Sequence, residues 1–181
     1  WLIAPDQFAG RLLPYHRAGL QVHTHANGDE AVDVLLDGLE QVQVAHPRPD
    51  HRHTVQHCQL TTPGQYRRMK ALGMCANVFA NHTWFWGDQH HDITVGPDRA
   101  ARMNAARTAL DLGVPLSIHS DSPVSPLGSL HVAWAAVNRL TPSGRVLGPD
   151  ERITVAEALH AITMGAAWQL RMEDQIGSIT P

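Results

Sequence analysis

Cysteine, lysine and net charge are all scarce in this chain. Two cysteines, Cys58 and Cys75, stand in 181 residues. They form no C-x-x-C and read as two reduced core thiols, which excludes a disulfide-built scaffold. Lys70 is the sole lysine, and the net charge is -3 with histidine neutral. Without a basic stripe, nucleic acid is not an expected partner. No window has the apolar length of a membrane span. The opening residues Trp1 to Asp6 lack the basic-then-apolar pattern of a signal peptide, so the expected location is cytoplasmic. An initiator Met and a polar tail are also lacking, and a piece of a longer protein is expected.

Histidine is what the chain has in excess. Thirteen histidines among 43% hydrophobic and 17% charged residues describe one domain with a sizeable core. Such density raises a metal site or a pH-sensitive cleft as expectations.

Periodicity alternates between two types along the chain. A helix is expected over Pro5–Ala18, a strand over Leu20–Thr24 and a turn at Asn27-Gly28-Asp29 with Asp29 as N-cap. Val32, Leu35, Leu36, Leu39 and Val42 space a helix over Glu30–Val44. Then come a strand over His53–Gln59, a helix over Gly64–Leu72 and a strand over Met74–Phe79. From Ala80 to Pro97 the pattern dissolves into a long aromatic, His-rich loop, the kind that is usually functional. A helix over Asp98–Asp111, a strand over Pro115–Ile118 and a helix over Leu130–Leu140 come next. Thr154 and Glu157 read as a capping box for a last helix running to about Leu170. Strand–helix four times over implies an α/β fold with a parallel sheet. Four strands make half of a TIM-type (β/α)8 barrel or an open four-stranded domain.

Chemistry-bearing residues gather at strand ends. His25, His57 and Asp121 fall at equivalent C-terminal ends of parallel strands, where catalytic groups collect in such folds. Neutral imidazole suits zinc, and a carboxylate can ligate it or take a proton from its water. His23, His53 and His119 sit one layer deeper and are expected behind the ligands or in packing. Gln59 shares a strand face with His57. Trp84 and Trp86 read either as core or as walls of a substrate pocket. His82, His90 and His91 read as facing substrate or solvent.

Three stretches then resemble signatures of the amidohydrolase superfamily: His25-Ala-Asn-Gly-Asp29-Glu-Ala-Val, Gln56-His57-Cys-Gln59 and Ser120-Asp121-Ser-Pro-Val. The branch they resemble includes the N-substituted formamide deformylases, with the motifs on barrel strands five, six and eight. The closing Gln175-Ile-Gly-Ser-Ile-Thr-Pro181 resembles the lead into that family's small β-sandwich. The resemblance implies the C-terminal half of the barrel, with residues 1–181 lacking the N-terminal half and the sandwich. It implies His25 and His57 as metal ligands, and Asp121 as ligand and general base for metal-bound water. One or two divalent ions, zinc foremost, and hydrolysis of an amide or other C–N bond in a small molecule are implied. The sequence departs from the family in three places. His23-Thr-His25 spells the first-strand H-x-H pair, but the Asn-Gly-Asp-Glu-Ala-Val run after it fits strand five. Lys70 lies on an expected helix, not at the bridging position of the fourth strand. Gln56 stands where Glu often precedes the strand-six His. The rival expectation is a non-catalytic half barrel whose open edges drive oligomerisation, with structural or metal-sensing histidines.

Overall fold

In the computed structural model, which describes residues 2–179, strands and helices alternate. The chain runs through α1 (Phe8–Arg17), β1 (His23–Ala26), α2 (Asp29–Ala45), β2 (Thr54–His57), α3 (Pro63–Leu72) and β3 (Cys75–Val78). It continues through α4 (His82–Gln89), a π-helical turn (His90–Thr94), α5 (Pro97–Ala101), α6 (Ala106–Asp111) and β4 (Leu116–Ile118). It closes with α7 (Ser129–Asn138), α8 (Val155–Ile162) and α9 (Met164–Gln169). The last two residues of the closing segment lie outside the described residues.

The strands lie in the order β1-β2-β3-β4, all parallel. One face is apolar. Thr24, Val55, Ala76 and Leu116 stand side by side across it, and the buried Val55, Ala76, Val78, Leu116 and Ile118 join the main core. Val32, Leu35, Leu36, Leu39 and Val42 of α2 pack into that core. Each such side chain contributes roughly 1.5–3 kcal/mol through burial. The opposite face carries the row His25, Gln56, Asn77 and Ser117. Gln56 bridges it, with Nε2 at 2.7 Å from His23 Nδ1 and Oε1 accepting from Asn77 Nδ2 at 2.8 Å. Parallel sheets ordinarily have both faces covered by apolar layers, so a polar row marks this face as the one turned to chemistry.

Local signals start and stop several elements, the Thr154–Glu157 box as expected and the one on α3 beyond what was expected. Thr62 and Gln65 form a reciprocal capping box on α3, and Gly73 ends it in the left-handed region. Thr154 and Glu157 do the same at the start of α8.

Four expectations are corrected. Gly28, not Asp29, is the N-cap of α2, and the Asp29 carboxylate takes a hydrogen bond from Arg99 at 2.9 Å. The expected loop Ala80–Pro97 is largely helical, because Phe79, His82 and Trp86 pack on one another and override weak propensities. The expected helix Asp98–Asp111 splits at Asn104, whose backbone N–H donates to Gln59 O at 2.8 Å. The last helix breaks at Thr163 between α8 and α9. There Gly165 approaches β4 so closely that a Cβ would lie 2.6 Å from the Leu116 carbonyl oxygen.

The sheet is open, with β1 and β4 as its edges. A groove of about 400 Å³ runs beside β1, lined in part by Phe8, Leu12, Val22 and Leu35. Among the described residues, no helix is long and apolar enough to cross a membrane.

Candidate metal centre

The strand ends are where the backbone leaves the extended region. His57 closes β2 with φ 80°, Cys58 follows at 50°, and Asp121, just past β4, has φ 54°. Left-handed conformations in residues other than glycine cost of order 1–3 kcal/mol each and cluster at functional sites. Their consequence here is visible in register. His57 pairs with Ala26, so strict alternation assigns its side chain to the helix-covered face, away from His25. Alternation stops where the chain turns. The His57 ring centroid lies 4.5 Å from that of His25 and 5.0 Å from that of His119.

One ligand atom each from His57, His119 and Asp121 lies within 4.8 Å of the other two, a span that one cation can bridge. Among the sequence-derived candidates the fold thus brings His57 and Asp121 together. His119, expected one layer deeper, joins them. His25 stays beside His57 on the exposed end of β1.

The donor set fits a divalent metal. Buried polar atoms are nearly always hydrogen-bonded, yet His57 Nδ1, His119 Nε2 and His82 Nδ1 are buried without a partner among the described residues. Two of these three belong to the cluster. Burial, and then the neighbouring His25, push the His57 imidazole below its ordinary range. Burial takes His119 down to about 4 and His82 to about 3. These rings are therefore neutral at physiological pH, the state in which an imidazole offers a lone pair to a metal on one nitrogen or an N–H to a bound group on the other.

Around the cluster, Phe79 is layered between two histidines. Its ring stacks on His82 at 4.8 Å and on His119 at 5.2 Å. Trp86 meets His82 edge-on at 4.7 Å. His90 Nε2 lies 2.9 Å from Gln59 Nε2 and 3.3 Å from His82 Nε2, so the π-helical turn ties β2's end to α4. π-Turns of this kind are frequent at functional sites. Trp84 points elsewhere, packing on Trp134 at 5.3 Å and on His131. His91 also leaves the group, pairing with Asp92 at 2.6 Å.

His53 occupies the opposite end of β2. Its Nε2 meets His16 Nδ1 at 2.9 Å, and its Nδ1 accepts from the Val22 N–H at 3.0 Å. This is packing, not site. Sequence reasoning missed Phe79, the last residue of an expected strand, which directly follows β3 at the same sheet edge where His57 closes β2 and Asp121 follows β4. It also missed His16 and His51, whose partners lie far along the chain.

Comparison with known proteins places this geometry. The sequence profile of the amidohydrolase family matches residues 6–181. Protein LONG AFTER FAR-RED 3 of Arabidopsis thaliana is 31% identical over 98% of this chain and 30% of its own length. N-substituted formamide deformylase of Arthrobacter pascens is 30% identical, over 90% of this chain and 30% of its own length. An uncharacterized metal-dependent hydrolase from Pyrococcus furiosus superposes with a TM-score of 0.78 at 28% identity, over 97% of this chain and 34% of that one. The chain spans about a third of the length of these proteins. Its parallel sheet with alternating helices is an α/β arc, part of the barrel of such enzymes.

Proposed function

This chain belongs to the amidohydrolase family, and from that premise we propose that it forms the metal-binding wall of a hydrolase acting on a non-peptide amide or related C–N bond. The observation that carries the reading is the meeting of His57 and Asp121, with His25 beside His57 and a buried, unpartnered His57 Nδ1, at the carboxyl edge of a parallel sheet. His25, His57 and Asp121 hold a divalent ion, and a mixed nitrogen and carboxylate set suits zinc. Such an ion supplies Lewis acidity toward a carbonyl oxygen and acidifies water to near neutrality.

The chain's own groups do the rest. Asp121 takes the proton of the attacking water at a carboxylate oxygen and delivers it to the leaving nitrogen. Phe79 and Trp86 exclude water from one side of the reacting carbonyl and give an apolar substituent a surface to rest on. In this reading the four strands are one arc of an eight-stranded barrel, and strands beyond these 181 residues complete the ligand set.

The test is zinc content of the purified chain, alongside His25→Ala, His57→Ala and Asp121→Asn, with hydrolysis of formamides and other amides assayed on the zinc-loaded protein. Near-stoichiometric zinc, lost in all three variants, is the expected result. Zinc no higher than in the variants sinks the reading. The open edge of β1 and its groove favour a second reading, in which a second copy covers that edge and the histidines bind metal without catalysis. A dimer mass by light scattering, with no amide hydrolysis, is its signature.

A further inference from the structure

We infer that His119 is a hydrogen-bond donor aimed into the site, not a metal ligand, and that its Nε2–H binds the carbonyl oxygen of the substrate. The substrate in that statement rests on the hydrolase reading above; the state of the ring does not. The backbone N–H of Asp121 donates to His119 Nδ1 at 3.0 Å. An amide N–H can only donate, so Nδ1 offers its lone pair. A neutral imidazole with a bare Nδ1 carries its proton on Nε2. That nitrogen has no lone pair left for a cation.

The rest of the environment agrees. Nε2 is buried and has no acceptor among the described residues, so the proton points at whatever enters the site. Phe79, stacked on the ring with planes 27° apart, holds its orientation. His57 differs on this point. No hydrogen bond from the described residues dictates its tautomer, and its buried Nδ1 is free to present a lone pair. The compact trio therefore divides by chemistry into two ligands, His57 and Asp121, and one donor. A rigid donor in a desolvated wall strengthens as negative charge develops on a carbonyl oxygen, and removing such a donor lowers turnover by about 10²–10³-fold.

Three measurements test this, two of them without turnover. Nitrogen-resolved NMR of the histidine rings in the metal-free chain is expected to place the His119 proton on Nε2, with Nδ1 coupled to the Asp121 amide. A proton on Nδ1 overturns the inference. Zinc affinity is expected to stay within about tenfold of wild type in His119→Gln, which has no ring lone pair, while falling more than about 100-fold in His57→Ala. An equal fall in both makes His119 a ligand and overturns it. Formate then probes the donor in the zinc-loaded chain. His119→Asn keeps an acceptor for the Asp121 N–H but loses the distal donor, and is expected to bind formate about tenfold more weakly. His119→Gln retains a distal N–H and is expected to bind it as wild type does. Equal formate affinity in all three proteins removes the donor role. A wild-type chain that takes up no zinc defeats the hydrolase reading instead, and the proton position still decides His119.

Discussion

Two groups of histidines occupy opposite ends of the same strands. At the amino end, His16, His51 and His53 are buried with every ring nitrogen partnered. His53 Nε2 meets His16 Nδ1, His16 Nε2 meets the His46 carbonyl, and the Val22 N–H is taken up by His53 Nδ1. His51 accepts from the His53 N–H and reaches the Leu72 carbonyl. At the carboxyl end, His57, His82 and His119 each leave one buried nitrogen without a partner among the described residues. Residue type is the same at both ends, and burial is deeper at the amino end, where all three rings are buried, whereas of the carboxyl-end three only His57 is, and His82 and His119 are half-buried. Satisfaction differs too, and it separates a structural network from a site built to receive something. Histidine density alone carries no such distinction.

The largest expected break in this comparison is in metal affinity. His57→Ala lowers zinc affinity more than about 100-fold, beyond what loss of an outer partner does, whereas His53→Ala leaves it unchanged. Equilibrium dialysis of both variants reads the difference, and an equal loss would erase the distinction between the two ends.

Acid sharpens the comparison next. Burial, then the neighbours His51 and His16, and then Arg48 hold His53 down at about 3. His16 and His51 are lowered too, by burial first, with the hydrogen bond to the His46 carbonyl opposing it at His16 and that to the Leu72 carbonyl opposing it at His51. A histidine whose folded value lies below its unfolded one takes protons first in the unfolded chain. Its full contribution is thus present above the unfolded value of 6.5 and is lost as pH falls toward 3. His53 alone removes about 1.4 kcal/mol per pH unit over that window. Urea unfolding is expected to be flat in this respect above the unfolded value of 6.5 and to approach that slope below it, with or without zinc. A profile that stays flat below that value in the zinc-free chain would mean the amino-end network is protonated when folded.

At pH 7.5, where no titration intervenes, His53→Ala strands His16 Nδ1 and the Val22 N–H in the interior. The expected loss is about 2 kcal/mol of unfolding free energy. A loss under about 0.5 kcal/mol, the range of ordinary surface changes, would show that the network contributes nothing.

The smallest effect runs the other way. Asp121 sits at φ 54°, and Asp121→Gly relieves a left-handed conformation that glycine tolerates. The variant is expected to gain about 1 kcal/mol of stability while losing zinc. Such a trade of stability against a ligand has no counterpart at the amino end, where His16, His51 and His53 all keep negative φ. Thermal melting of the metal-free protein checks it, and a lower melting temperature would count against strain at the site.

Much of the scaffold was legible along the chain. Four strands were expected and four are present among the described residues, although β1 begins at His23 and not at Leu20. The α2 stripe and the Thr154–Glu157 capping box needed only local spacing. His57 and Asp121 were legible as strand-end residues for the same reason. The helix through His82 and Trp86 was not, because its stabilising partners, Phe79 and Gln59, lie outside its own span.

By itself, then, the sequence determined the alternation of strand and helix, the acidic and histidine residues at strand ends, and the family to which they point. Those features depend on neighbours a few residues away. Tertiary structure decided which histidines are satisfied, that His119 stands beside His57 and Asp121, and on which nitrogen its proton rests. Such facts depend on hydrogen-bond partners and ring contacts as far apart as His16 and His53, or His57 and His119. A lone pair is satisfied or left bare by what folding brings to it, and no spacing along the chain encodes that.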